Sequence, residues 1–306
     1  MDRYSIGIDL GGTNLRAAAI AEDGRVLGKV SGNTPVEAGP EAVLADMAKS
    51  AAGLREKFGT SNLAGIGAGV PGNIDMERGV VERWSNVPSF TGCPMREELS
   101  RRLGTAVFLE NDANAAALGE HWMGAGRGVD LVLLTIGTGI GGGIISGGRI
   151  LHGHKGMAAE LGHITVVPNG NPCGCGNRGC VEKHASASAV AAMARLAGLG
   201  KDLSAKDVDE LALQGNTIAQ AIYRSAGESL GIAVAALINI FNSSLYLIGG
   251  GMSAGWDRFA PAMLAEVERR SLTYRLTLAT TRIERAALGA DAGLFGSASL
   301  ALRGQS

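Results

Sequence analysis

At 306 residues the chain is long for one compact core, which makes two domains or lobes the natural expectation. Hydrophobic residues make up 46% and charged ones 19%, the composition of a folded globular protein rather than a disordered chain. A net charge of −1 offers no basic field to nucleic acid or to an anionic membrane, so neither is expected as a partner.

Glycine is the outlier. Its 47 residues stand at fixed places rather than in a low-complexity run, as loops require where backbone approaches a ligand closely. The N-terminal segment Met1 to Ile6 lacks the charged and apolar regions of a signal peptide. The longest apolar run, Ile232 to Phe241, is broken by Asn239 and is too short for a bilayer. A cytoplasmic location is expected, where the four cysteines stay reduced.

In chain order, two apolar runs are each interrupted by glycines and then resume. The first is Tyr4 to Leu10, then Gly11-Gly12-Thr13, then Leu15 to Ile20; the second is Leu131 to Ile136, then Gly137-Thr138-Gly139, then Ile140 to Ile145. Each predicts a β-hairpin whose turn presents backbone N–H groups, with glycine supplying positive φ. The repetition predicts two related lobes facing each other. Between the hairpins, helices are predicted at Glu41–Phe58, Met95–Leu103 and Asp112–Trp122, with strands at Ala64–Val70 and Ala106–Leu109. The second half predicts helices at Ser188–Leu199, Thr217–Phe241 and Trp256–Ser271. There a strand, Ser244–Ile248, runs into Gly249-Gly250-Gly251. The tail, Ala292–Leu302, is helical in pattern and is expected to pack on the first lobe. No Pro- or Ser-rich linker divides the halves, so the expected fold class is α/β, with two hinged lobes around a cleft.

Four constellations could carry chemistry. Asp9-Leu-Gly-Gly-Thr13 combines two glycines and a hydroxyl that suit phosphate with a carboxylate that suits Mg²⁺; a plain hairpin turn is the alternative. The second copy, Gly137-Thr138-Gly139, favours a phosphate clamp over two unrelated turns. Glu110-Asn111-Asp112-Ala113-Asn114 follows a strand and opens a helix, so Asp112 is either the helix cap, a catalytic base, or both, and Asn111 could hold a neighbouring hydroxyl. His163, Cys173, Cys175 and Cys180 supply the four ligands of a closed tetrahedral Zn²⁺ site, with Cys93 left as a small buried hydrophobe. Glu160 and Glu182 flank this knot and on pattern alone read as solvated surface or as neighbours of the metal. Gly249-Gly250-Gly251 could let a flat ring or ribose lie on backbone, or simply make a tight turn.

Taken together and in order, these motifs resemble the ROK family (repressors, open reading frames, sugar kinases), and most closely its glucokinases. The resemblance spans nearly the whole chain. It rests on Asp9-Leu-Gly-Gly-Thr13, Gly69-Val-Pro-Gly72, Glu110-Asn-Asp-Ala-Asn114 and Ile136 to Gly143, together with Glu160-Leu-Gly-His163, Cys173 to Glu182 and Gly249 to Gly251. It implies a two-lobed actin/hexokinase-like (ribonuclease H-like) fold, with residues 1–120 and 291–306 as the smaller lobe and 121–290 as the larger, zinc-bearing one.

The resemblance further implies ATP, Mg²⁺ and structural Zn²⁺ as cofactors, sugar ligands at Gly72, Asn111, Asp112, Glu160, His163 and Glu182, and a homodimer or homotetramer. His163 would serve metal and sugar with one ring nitrogen each. The implied activity is ATP-dependent phosphorylation of a hexose, glucose foremost, with Asp112 as base and Asp9 toward the metal. Ala159 stands where the family usually has glycine, and His184 is also unusual. Rivals are a kinase for N-acetylmannosamine, N-acetylglucosamine, allose, mannose or fructose, and a sugar-responsive repressor. The repressor reading is disfavoured by the eight residues before Asp9 and the lack of a basic recognition helix. A binding protein without catalysis is disfavoured by the intact Asp112, and polyphosphate stays open as a donor.

Overall fold

The computed structural model describes residues 2–84 and 87–304. Met1 of the N-terminal segment and Gln305 and Ser306 of the expected tail lie outside the described residues. The first hairpin is Tyr4–Leu10 (β1) and Asn14–Ala21 (β2), extended by Val26–Asn33 (β3). Then follow Pro40–Phe58 (α1), Leu63–Val70 (β4), the small hairpin Asn73–Asp75 (β5) and Val80–Arg83 (β6), Met95–Leu103 (α2) and Val107–Asn111 (β7). β7 runs without a break into Asp112–Met123 (α3). The pattern restarts with Leu131–Ile136 (β8), Ile140–Ser146 (β9) and Arg149–Ile150 (β10). Glu182–Ala185 (α4), Ala187–Leu196 (α5), Ala205–Leu213 (α6) and Thr217–Phe241 (α7) precede Leu245–Gly249 (β11). Trp256–Arg270 (α8), Leu272–Leu276 (α9), Arg282–Arg285 (β12) and Ala292–Arg303 (α10) complete the chain.

The two five-stranded sheets share one topology. Their orders are β3-β2-β1-β4-β7 and β10-β9-β8-β11-β12. β1 lies antiparallel to β2 and parallel to β4, which is parallel to β7; β8, β11 and β12 are likewise parallel. This duplication is the two-lobed actin/hexokinase-like, ribonuclease H-like α/β fold.

The chain divides into two compact units, residues 1–128, 143–159 and 290–306 in the first and 129–142 and 160–289 in the second. The sequence suggests residues 1–120 and 291–306 as one lobe and 121–290 as the other, whereas residues 121–128 and 143–159 also lie with the first unit. The crossing at 142/143 falls inside β9. A continuous strand carries no compositional break at its midpoint, so nothing in the sequence marks that crossing.

In the first unit all seven residues of β1 are buried. The α1 side chains Val43, Leu44, Met47, Ala51 and Leu54 meet the same core at helical spacing. α10 lies directly on β1 and β4: a Cβ on Gly67 would stand 1.9 Å from the Ser297 carbonyl oxygen. In the second unit α7 is 25 residues long and holds an 18-residue window of mean hydropathy 1.3, enough by length and composition to cross a membrane. The sequence expectation took only its last ten residues as the apolar run. Two thirds of its apolar window is buried against the protein (67%). A Cβ on Gly227 would stand 2.2 Å from the Phe259 carbonyl oxygen of α8, so the helix is apolar because another helix covers it.

Candidate active site

In the first unit β7 delivers its last residues to the start of α3. The helix cap is Asn111, not Asp112: the Asn111 side-chain oxygen accepts from the Ala113 and Asn114 amides at 2.9 and 3.2 Å. Asn111 has the extended backbone a cap needs, while Asp112 already opens the helix. The Asp112 carboxylate accepts from the Ala113 amide at 2.9 Å and is half-buried. The Asn111 amide group donates to the Gly72 carbonyl at 3.1 Å. At Gly72 φ is +98°, and a Cβ would stand 2.4 Å from the Arg83 carbonyl oxygen, so this support for Asn111 requires glycine.

Glu110 lies behind the same turn, 1% exposed. One carboxylate oxygen accepts from the Asn111 amide at 2.9 Å and from the Asn114 side chain at 3.0 Å. The other is 2.7 Å from His152 Nε2. The sequence reading noted Glu110 only as part of a motif and did not single out His152, which is 42 residues away along the chain.

The two glycine turns differ from expectation in one respect: neither uses positive φ at its glycines. The Gly11 and Gly137 amides close their turns by donating hydrogen bonds to the Asn14 and Gly139 carbonyls at 2.8 and 2.9 Å. A Cβ on Gly12 or Gly137 would meet nothing within 4 Å, so the missing side chains leave open approach to backbone N–H groups. Asp9, at the end of β1, is 7% exposed and ion-paired with Arg16. Burial pushes its carboxyl above the ordinary range, and the Arg16 guanidinium opposes that rise.

In the second unit the thiols of Cys173, Cys175 and Cys180 and the His163 ring bring their ligand atoms within 4.8 Å of one another. Cys175 and Cys180 sulfurs are 3.7 Å apart, and Cys173 sulfur is 3.6 Å from His163 Nδ1. Tetrahedral coordination with Zn–S near 2.3 Å requires sulfurs about 3.8 Å apart. The donor set and its spacing therefore fit a structural divalent ion. His163 Nε2 points the other way, 3.9 Å from the exposed Glu160 carboxylate. Glu182, two residues beyond Cys180, accepts from the Ile140 amide at 3.1 Å and pairs with Lys183 at 3.1 Å. It also explains Gly139, where a Cβ would stand 2.4 Å from the Glu182 carboxylate. The knot is thus tied to the second glycine turn through a side chain.

A cavity of about 640 Å³ adjoins that turn, lined among others by Gly137, Thr138 and Gly251. Its remaining wall includes Lys206, Asp209 and Tyr223 from α6 and α7. Gly249 ends β11 in a buried position, and Gly250 turns the chain with φ +79°. Neither of these two lines the cavity. α6 was missed in the sequence reading. Its signal was the Ser204-x-x-Asp207 capping box, in which each side chain bonds the other residue's amide.

A sequence model of the ROK family matches residues 5–304. The chain is 41% identical over 310 residues to glucokinase from Thermotoga maritima, covering 96% of each. It is similar to the crystal structure of ROK hexokinase from Thermus thermophilus, with TM-score 0.84, 35% identity and coverage of 98% and 99%. A ROK family glucokinase from Streptomyces griseus, in complex with glucose and AMPPNP, aligns with TM-score 0.82 and 33% identity, over 98% and 99% of the two chains. Ordered motifs, duplicated sheets and full-length likeness agree, and the chain belongs to the ROK family.

Proposed function

We infer that the chain is an ATP-dependent hexose kinase that phosphorylates glucose on its 6-hydroxyl. The observation that carries this reading is the Asn111-Asp112 turn, braced by Gly72 and Glu110, in a chain similar along its length to glucokinases. Asp112 is the base. It accepts the proton of the primary hydroxyl as the sugar oxygen attacks the γ-phosphorus. The bond to the bridging β–γ oxygen breaks, ADP leaves, and the proton passes to solvent.

Asn111, Glu160, His163 and Glu182 are proposed to hold the remaining hydroxyls of the sugar, with Gly72 contributing backbone. Asp112 thereby receives an oriented nucleophile rather than a tumbling one. The turns at Gly11-Gly12-Thr13 and Gly137-Thr138-Gly139 donate amides to the phosphates. The cavity beside Gly251 takes the rest of the nucleotide, on backbone shaped by Gly249 and Gly250. Mg²⁺ bound with ATP supplies charge neutralisation on the phosphate oxygens. Asp9 is its proposed carboxylate and, being paired with Arg16, acts more readily through water than as a bare ligand. Zn²⁺ at His163, Cys173, Cys175 and Cys180 is proposed as structural, since all four positions of the set come from protein. The same reading places the protein in the cytoplasm, where free thiols persist, as a homodimer or homotetramer.

The test is a coupled ADP-release assay over glucose, mannose, fructose, allose and the N-acetylhexosamines, each with ATP and with polyphosphate. Glucose with ATP is expected to give the highest kcat/KM. Equal, negligible turnover with every sugar would remove the kinase reading, and a clear preference for an N-acetylhexosamine would move the substrate.

A further inference from the structure

The Glu110 carboxylate is the best-shielded charged group beside the proposed base, and neither the motif nor the reaction explains what neutralises it. It is 1% exposed, and its two oxygens serve three partners: the Asn111 amide, the Asn114 side chain and His152. The first two are neutral donors on the turn itself. His152 comes from a different stretch of chain, just after β10, and its own carbonyl accepts from the Ala158 amide at 3.0 Å. Charge on a carboxylate so shielded is costly without an ionic partner, and among the described residues His152 is the one at ion-pair distance.

We propose that His152 is a positioning residue for phosphoryl transfer: its imidazole, hydrogen-bonded to buried Glu110, holds the turn that presents Asn111 and Asp112. This rests on Asp112 being the base. The hydrogen bond to Glu110 holds the ring's pKa above its ordinary value, against the opposing effect of burial. The titratable groups on the adjoining stretches are Asp112 at the start of α3, His154 and Lys155 in the turn after His152, and Asp75 on β5, which packs against that turn. Glu110 is the one whose charge and hydrogen bond act on the ring.

The sign follows. Below its raised pKa the ring is cationic and the bond to Glu110 is charge-assisted. As pH rises through that pKa the charge is lost and only a neutral donor remains. The turn then loosens, and misplacement of a base by a fraction of an ångström slows the chemical step more than it weakens sugar binding.

The experiment uses the full chain as wild type, His152→Gln and His152→Ala, with kcat and sugar KM measured from about pH 6 to 9, a range spanning histidine titration. The ring titration of His152 is followed by NMR in wild type and in Glu110→Gln. Wild-type kcat is expected to fall toward alkaline pH through the His152 titration. His152→Gln, which keeps a neutral donor, should lose that limb and stay near the wild-type alkaline value. His152→Ala should lose about tenfold in kcat with sugar KM within about twofold. Glu110→Gln should move the ring titration down toward the ordinary value. Wild-type kcat and pH profile in His152→Ala would overturn the proposal, as would a ring titration unmoved by Glu110→Gln. The NMR arm involves no turnover, so a failed clamp and a failed assignment of Asp112 are told apart.

Discussion

Asp112 and Ala159 show how much a single side chain decides. Because Asn111 takes the capping role, the Asp112 carboxylate is not the group that satisfies the helix amides at the Asn114 position. Asp112→Asn keeps the size of the side chain and removes its basicity. We expect kcat to fall by about 10² to 10⁴, the usual contribution of a general base, while glucose still binds. Turnover within a few-fold of wild type, measured in the same coupled assay, would dismiss the base. Ala159 has φ +66°, in the left-handed region that costs an L-residue about 1–2 kcal/mol. Glycine there relieves that strain but orders a freer chain, at a cost of about 0.5–1 kcal/mol. Ala159→Gly is therefore expected to stabilise by a net of about 0.5–1 kcal/mol, the middle of that difference, read as a higher urea midpoint. A lower midpoint would show that the alanine methyl makes compensating contacts.

Among the elements, the cysteine knot and the second glycine turn behave as one piece. Glu182 follows Cys180 by two residues and accepts from the Ile140 amide, the first residue of β9. Loss of a metal held there should therefore disturb more than the loop that would carry it. The protein is expected to contain about one zinc per chain, as the one four-ligand set among the described residues implies. Cys175→Ser should lose that metal, melt at lower temperature and show a raised sugar KM, because Glu160, His163 and Glu182 all stand on or beside the knot. Elemental analysis finding no zinc in folded, active wild-type protein would refute the site. The knot was legible because three thiols and glycines crowd into Cys173–Cys180. α6 was not legible to the same degree: its nine residues are short, and its capping box is a weak signal. Yet that helix lines the cavity beside Gly137 and Gly251.

Across the whole molecule, the duplicated order of the two sheets was foreshadowed by two glycine-broken apolar runs, since hairpin periodicity and turn chemistry are local properties of a sequence. The ten helices and strands predicted outside the hairpins all formed, with ends shifted by at most a few residues. β3, β10, β12 and the small β5–β6 hairpin went unpredicted. β3 is largely exposed and β12 is four residues long, so neither shows the buried alternation that marks a strand. What the sequence determined by itself is therefore the order of the longer elements, the repeat, the candidate His163–cysteine cluster and the family. What only the tertiary structure decided is which distant groups meet: His152 against Glu110, α10 on the glycines of β1 and β4, and α6 at the cavity. The division follows from range. Propensity, capping and turn geometry act over a few residues and are written in them, whereas the partner of a buried charge is set by the path of the chain through both sheets.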